Sequence, residues 1–274
     1  MPELPEVETI VADLRPHLAG RTIVRCELLF PTIVRHPEPE AFIDSIAGMQ
    51  IVSVGRRGKF ILIKLSVDLL LVVHLGMTGQ LRLVDAGTPM SLHTHVVFIL
   101  DDGRHLRYRD PRRFGRVLLG TEQALLLSKT LPRLGPEPID PDFAADELYR
   151  RLRQRRTSLK AVLLDQAAIA GVGNIYADES LHRARLRPDR MAAGVSRKSA
   201  HRLHESLRES LRVAIKNRGS SVDTYRDAWG ELGAQQEQLQ VYGRAGEPCF
   251  ACGRRLSMIR IAGRTTVFCR RCQR

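Results

Sequence analysis

A chain of 274 residues is long enough for two or three domains with cores of their own, and its 43% hydrophobic content excludes an intrinsically disordered protein. The longest wholly apolar runs, such as residues 69–73, fall far short of the roughly 20 residues a membrane helix needs, and the acidic N-terminus has no signal-peptide hydrophobic region. The net charge of +13 is confined to one half: residues 1–143 hold 17 Lys+Arg and 17 Asp+Glu, whereas residues 144–274 hold 26 and 13. Such a one-sided field suits a polyanion, nucleic acid ahead of anionic membrane, because no basic amphipathic helix with a Trp/Phe face is present. A cytosolic address with reduced thiols is expected.

In chain order, "PEVETIVADLRPHL" (5–18) reads as a helix, with Pro5 suited to its first turn and Glu6 and Glu8 complementing its dipole. From 22 to 119 the apolar period is mostly two. The runs "TIVRCELLF", "QIVSVGRRGKFILIKLS", "DLLLVVHL", "TGQLRLVD", "THVVFIL" and "GRVLLG" read as strands separated by the turns "RRGK", "LGMTG" and "DDGR". So many short strands predict an antiparallel sandwich or barrel. "LPRLGPEPIDPDF" (131–143) carries four prolines and reads as a linker. Beyond it the pattern turns helical: 144–155, 158–165, 174–184 and 196–217, the last with Leu203, Leu207 and Leu211 on one face and Ser196 as N-cap. Residues 218–240 lack periodicity and read as a mobile loop. The class is α+β, with expected domains 1–130 (sandwich), 144–240 (helical, with the loop) and 241–274 (cysteine module) flanking the 131–143 linker.

Cys249, Cys252, Cys269 and Cys272 form C-x2-C-x16-C-x2-C, the spacing of a tetrahedral zinc site. Four thiolates close the coordination shell, so the metal is expected to be structural. Two strands joined by "AGR" lie between the pairs and make a zinc ribbon with Arg264 at or beside its tip; spacing alone leaves open whether Arg264 is functional or a solvated charge. The fifth cysteine, Cys26, reads as inert core. "AGVGN" (170–174) places two glycines between helices, where free N–H groups at a helix start can bind a phosphate. With "RLRQRRTSLK" before it and "RARLRPDR" after it, a helix–hairpin–helix gripping a DNA backbone is the better reading than an ordinary turn.

The first eight residues hold two prolines and three glutamates. With Met1 removed, Pro2 carries a secondary α-amine. The reference pKa of an α-amine is about 7.7–8.0, against about 10.4 for lysine, so a sizeable uncharged fraction exists near neutral pH without a special pocket. Attack on a sugar C1′ would give an iminium ion, an electron sink that eases loss of phosphate, and Glu3 could pass a proton to the ring oxygen. By residue type alone the better reading of the acids is as dipole complements at a helix start. Met77 and Phe114 sit in turns between strands and by type read as core, although apolar wedges do replace a flipped base in some proteins. His93 and His95 are two apart at a strand start and should share one face, as a surface pair or, less simply, a metal pair. Lys59 beside "RRG" reads as a hairpin charge.

"PELPEVE", "GRRGKF", "HLGMTG", "RDPRRFG", "LGPEP", "AGVGNIYADE", "VYGR" and the four cysteines, in that order from residue 2 to 272, resemble bacterial formamidopyrimidine-DNA glycosylase. The start is unlike that of its pyrimidine-directed sister, endonuclease VIII, which typically opens "PEGPE". The resemblance implies a β-sandwich, a helix–two-turn–helix domain and a zinc ribbon. It implies excision of oxidised purines such as 8-oxoguanine and formamidopyrimidines, then strand cutting by β,δ-elimination, on double-stranded DNA carrying oxidised bases or abasic sites, by a monomer in the bacterial cytoplasm at the nucleoid. Residue by residue it makes Pro2 the Schiff-base nucleophile, Glu3 the general acid, Glu6 a second essential carboxylate, Lys59 a proton donor near the 5′ phosphate and Arg264 the group for δ-elimination. His93, Arg112, Arg156 and Asn174 become DNA contacts, and Met77, Arg112 and Phe114 the side chains that fill the gap left by the lesion. One departure is Leu92, where the family often has a basic residue. An endonuclease VIII-like enzyme and a non-catalytic zinc-ribbon DNA-binding protein are the alternatives.

Overall fold

Alternating apolar residues give each period-two run one buried face, and pairing those runs edge to edge buries them together. In the computed structural model, which describes residues 1–274, the chain divides into two compact units: residues 1–133 with 217–234, and residues 134–216 with 235–274.

The first unit contains helices α1 (Leu4–Leu18), α2 (Pro39–Ile46) and α3 (Glu122–Leu127). Its strands are β1 (Thr22–Leu28), β2 (Val34–His36), β3 (Met49–Arg57), β4 (Phe60–Leu65), β5 (Leu70–His74), β6 (Gln80–Val84), β7 (Thr94–Leu100), β8 (His105–Arg109) and β9 (Arg116–Gly120). They form one sheet in the order β2-β9-β5-β4-β3-β1-β7-β8-β6. Pairing is antiparallel except between β2 and β9. Only two residue pairs, Thr22 with Gln50 and Ile23 with Met49, join β1 to β3. That short seam separates two halves that share one core. Ile61, Ile63, Leu71 and Val73 from one half meet Leu81, Val96, Phe98 and Leu106 from the other, together with Val7, Ile10, Val11 and Leu14 of α1. Helix α1 is fixed to β3 by an ion pair, Arg56 Nε to Glu8 Oε2 at 2.8 Å, and by Arg15 Nε donating to the Val54 carbonyl at 3.0 Å.

Helices α2 and α3 and strands β2 and β8 lie outside the strand and helix runs read from sequence. The two helices span only eight and six residues, too short for a 3.6-residue period to stand out. Strand β8 ("HLRYR") looks polar, yet Leu106 and Tyr108 are fully buried and Arg107, 7% exposed, turns its Nη1 onto the carbonyls of Thr88 at 2.8 Å and Pro89 at 3.2 Å. A second difference concerns residues 217–234, which the sequence assigns to the helical domain as part of a mobile loop. They belong to the first unit, because Tyr225 and Ala228 enter its core. Buried Asp227 pins the segment by accepting from the Arg218 guanidinium and the N–H groups of Trp229 and Glu231.

The second unit holds α4 (Ala145–Arg153), α5 (Leu159–Leu164), α6 (Asn174–Arg183), α7 (Arg197–Lys216) and a two-stranded hairpin, β10 (Ser257–Ile261) and β11 (Arg264–Phe268). Leu203, Leu207 and Leu211 of α7 are fully buried, and Ser196 Oγ accepts from the Ser199 N–H at 3.3 Å, as an N-cap should. The cysteine module is not a free-standing domain. Lys160 and Asp178, both essentially without solvent exposure, pair at 2.6 Å, while Lys160 Nζ donates to Thr266 Oγ1 and Asp178 accepts from the Val267 N–H. No helix is long and apolar enough to cross a membrane.

Candidate active site and DNA-contacting elements

The first residues are built into the core of their unit. Pro2 is buried, and Glu3 and Glu6 are 2% and 1% exposed. Glu6 Oε2 accepts the Glu3 N–H at 2.7 Å, half of a capping box that fixes the start of α1. Its other oxygen accepts the Ser220 N–H at 2.8 Å, and the Tyr225 hydroxyl donates to the Glu6 carbonyl at 3.4 Å. Gly219 (φ +79°) makes this approach possible, since a Cβ there would lie 2.9 Å from Glu6 Cγ. Glu6 therefore ties the Pro2 segment to residues 217–234, a contact between positions 214 apart.

Lys59 follows Gly58 (φ +58°) in the β3–β4 turn and is 6% exposed, so it is not a solvated hairpin charge. His74 of β5 lies opposite Phe60 in the register, with ring centroids 4.7 Å apart. Burial first, then the positive charges of Arg116 and Lys59, push the His74 pKa down from 6.5 to about 4. A neutral His74 accepts the Gly76 N–H on Nδ1 at 3.2 Å and so braces the turn that carries Met77.

Met77 is half-buried in the β5–β6 turn. Arg112 and Phe114 project from the β8–β9 turn, Phe114 with 58% of its surface exposed and the Arg112 guanidinium 4.8 Å from its ring centroid. Phe114 is thus a displayed aromatic, not core. His93 and His95 do not share a face: His93 precedes β7 with φ +65° and is exposed, whereas His95 is 3% exposed and donates its Nε2–H to the Asp110 carbonyl at 2.8 Å. The left-handed residue breaks the alternation on which the pairing rested. Leu92 beside them is 81% exposed.

In the second unit the glycine hairpin is braced from within. Gln166 Oε1 accepts the Gly171 N–H at 2.9 Å and its Nε2 donates to the Val172 carbonyl at 2.8 Å, with Gly171 at φ +87°. Gly173 caps α6, and Asn174 begins it. Asn174 Nδ2 donates to the Thr265 carbonyl at 3.1 Å, which sets it beside the peptide that follows Arg264. Ala262 and Gly263, both at positive φ, form the two-residue β10–β11 turn, and exposed Arg264 leaves its end. Arg156 is exposed between α4 and α5.

The thiol sulfurs of Cys249, Cys252, Cys269 and Cys272 all lie within 4.8 Å of one another, the only such grouping of three or more potential ligands in the molecule. Cys252 to Cys269 is 3.5 Å and Cys249 to Cys272 is 4.0 Å. These distances bracket the roughly 3.8 Å edge of a tetrahedron with Zn–S bonds of about 2.3 Å. They are far longer than a disulfide bond of about 2.05 Å. One metal ion fits, and no ligand position is left for a water. Cys26 is buried in the sandwich core, and its thiol is pushed up to about 12 by burial and then by Glu27.

An N-terminus built into a β-sandwich, in a chain whose other unit displays arginines beside a helix hairpin and on a four-cysteine ribbon, is the layout of a DNA-processing zinc protein. Residues 1–117 match the formamidopyrimidine-DNA glycosylase N-terminal domain, residues 134–226 the formamidopyrimidine-DNA glycosylase H2TH domain, and residues 246–274 the zinc finger found in FPG and IleRS. The formamidopyrimidine-DNA glycosylase of Desulforamulus reducens is 45% identical, with 100% of this chain and 99% of the relative covered. The MutM (Fpg) protein from Thermus thermophilus superposes with a TM-score of 0.89 at 43% identity, covering 99% of this chain and 98% of that one. Lactococcus lactis Fpg, solved with a Fapy-dG containing DNA, gives a TM-score of 0.90 at 36% identity over 99% of both chains. The chain belongs to the formamidopyrimidine-DNA glycosylase family.

Proposed function

We propose that this chain removes oxidised purines, 8-oxoguanine and formamidopyrimidines, from double-stranded DNA and cuts the strand at the resulting abasic site, with Pro2 as its nucleophile. The observation that carries this reading is the N-terminus itself: Pro2, whose amine is released when Met1 is removed, is buried and is followed by two acids with almost no solvent exposure, Glu3 and Glu6, joined to each other by a hydrogen bond. Desolvated carboxylates next to a low-pKa amine are the parts of an amine-and-acid site. The Lactococcus lactis relative has been solved with DNA containing Fapy-dG or an abasic site, which supports the substrate class.

In the proposed sequence the Pro2 nitrogen bonds to C1′ and loses its proton, while the bond from C1′ to the base breaks and the base leaves with the electron pair and a proton. Glu3 protonates the sugar ring oxygen as the ring opens to the iminium ion. Loss of a C2′ proton expels the 3′ phosphate, a second elimination expels the 5′ phosphate, and water releases Pro2. Lys59 supplies a proton near the 5′ phosphate, and Arg264 serves phosphate contact and the second elimination. Glu6 holds the α1 start and residues 217–234 together. Met77, Arg112 and Phe114 fill the space of the extruded base, and His93, Arg112, Arg156 and Asn174 contact the DNA. Zinc on Cys249, Cys252, Cys269 and Cys272 supplies fold rather than chemistry. With chromosomal DNA as its substrate, the protein works in the cytoplasm at the nucleoid.

Borohydride trapping on duplex DNA tests the reading. A covalent complex should form on 8-oxoguanine and abasic sites and map to Pro2. No complex on any damaged substrate would leave a non-catalytic DNA-binding protein. Preferential trapping on oxidised pyrimidines over 8-oxoguanine would select the endonuclease VIII-like alternative.

A further inference from the structure

Asp110 opens the "DPRRFG" stretch, is fully buried and has no ion-pair partner. Its carboxylate is saturated by donors from the β5–β6 turn, the β8–β9 turn and strand β8. Oδ1 accepts the Thr78 hydroxyl at 2.5 Å and the Arg112 N–H at 3.3 Å, and Oδ2 accepts the Gly115 N–H at 2.8 Å and the Tyr108 hydroxyl at 3.4 Å. Its peptide group is equally committed. The Asp110 N–H donates to the His93 carbonyl at 3.0 Å, and its carbonyl accepts His95 Nε2–H at 2.8 Å and the Arg113 N–H at 3.2 Å. Burial first, then the charge of Asp110, drive the Tyr108 phenol well above its ordinary pKa, so it stays a donor.

We infer that Asp110 is the positioning residue that locks the turn carrying Met77 to the turn carrying Arg112 and Phe114, so that the three side chains enter the duplex as one preformed wedge. The inference rests on the gap-filling role proposed above for those three residues. Backbone packing supports it independently. A Cβ on Gly76 (φ +62°) would lie 2.5 Å from the Gly115 nitrogen, and one on Gly115 would lie 2.6 Å from the His74 carbonyl oxygen, so the two turns touch main chain to main chain. The base of this assembly is solvent-free while its tips, Arg112 and Phe114, are exposed. That contrast suits a wedge. Separating stacked bases costs free energy at every step, and tips that must first be ordered would add their own ordering cost to it. Nothing in Asp110 itself reaches the DNA; it acts through the loops it holds.

The test uses Asp110→Asn and, as a milder partner, Thr78→Val, each checked for an unfolding transition like that of the parent protein. Excision of 8-oxoguanine from duplex DNA should fall by about 10- to 100-fold, the scale of loss for a misplacement near 1 Å. Cutting at an abasic site in single-stranded DNA, where no stacked partner has to be displaced, should stay within about twofold. The fluorescence rise of 2-aminopurine placed opposite the lesion should shrink with excision, and Thr78→Ser, which restores the hydroxyl, should behave like the parent. Normal duplex excision by both variants would overturn the inference, and so would a parallel fall in single-strand cutting, which would make Asp110 merely structural. If Asp110→Asn does not fold, Thr78→Val decides alone. A Met77→Ala, Phe114→Ala double variant separates the two levels. Undiminished excision there removes the wedge reading itself, whereas impaired excision there with normal Asp110→Asn and Thr78→Val removes only the role of Asp110.

Discussion

The first unit buries the charges proposed for base excision, Glu3, Glu6 and Lys59, and displays only Arg112 among the residues proposed to meet DNA as cations, whereas the second unit displays both of its own, Arg156 and Arg264. Glu3, Glu6 and Lys59 are 2%, 1% and 6% exposed, in a unit holding 19 Lys+Arg against 17 Asp+Glu. Arg156 and Arg264 are exposed, in a unit holding 24 against 13. Proton transfer and amine attack need groups taken out of water, where neighbours set their protonation. Holding a duplex needs the opposite, solvated cations that replace counterions along phosphates. On the proposed roles, the excess basic charge of the second unit marks the phosphate-gripping surface, and the residues proposed for amine attack and base release are marked by burial instead.

The largest expected effect breaks the comparison on the buried side. Acetylating Pro2, or retaining Met1 through a fused tag, turns the amine into an amide whose lone pair is committed to resonance. The borohydride-trapped complex should vanish, while affinity for undamaged DNA, a property of the displayed charges, stays the same in a gel-shift titration. Trapping by a blocked protein of verified mass would point to another amine, Lys59 first.

Next comes removal of the metal. Structural zinc sites contribute roughly 10 kcal/mol or more to folding, so Cys269→Ala should release zinc and unfold the ribbon. DNA affinity should drop by about tenfold or more, the scale of one lost cluster of phosphate contacts. Calorimetry should retain the unfolding transition of the sandwich. Full affinity in a metal-free protein, by metal analysis, would break the assignment of grip to the second unit.

A smaller effect sharpens the displayed side. Log affinity for undamaged duplex should fall linearly with log salt, with a slope of about −0.9 for each phosphate neutralised. Arg156→Ala should make that slope shallower by about one unit and leave the sequence tolerance unchanged. A slope that does not move would remove Arg156 from the phosphate contacts.

The smallest effect concerns pH. His74 has its pKa lowered from 6.5 to about 4, so the folded state binds this proton less readily than the unfolded chain. Its contribution to stability is complete above about pH 6.5 and is lost as pH falls from there toward about 4. His74→Asn should flatten that part of the stability profile, measured by thermal unfolding. An unchanged profile would mean that His74 is not desolvated.

Local spacing made several parts of this protein legible. The 2-16-2 spacing of the cysteines places four sulfurs around one point, and the i, i+4, i+8 leucines of α7 are all buried, because ribbon turns and helix faces are set by neighbours a few residues apart. Helix α1 and the glycine hairpin before α6 follow for the same reason. Asp110 was visible within the "RDPRRFG" motif, yet its function as a hub was not, because its donors come from Thr78, Gly115 and Tyr108 on separate turns and strands. His74 and Lys160 gave no local signal either.

The sequence by itself determined the class of fold, the metal-binding module, the partition of charge and, through its ordered motifs, the family. Only the tertiary structure decided that residues 217–234 complete the first unit, that Glu6 joins their Ser220 to the start of α1, that His93 and His95 part to opposite environments, and that Lys59 is buried. The reason is the range of the interactions. Periodicity records which face of an element is apolar, but the partner that satisfies a buried charge can lie 214 positions away, and no pattern in either segment names the other.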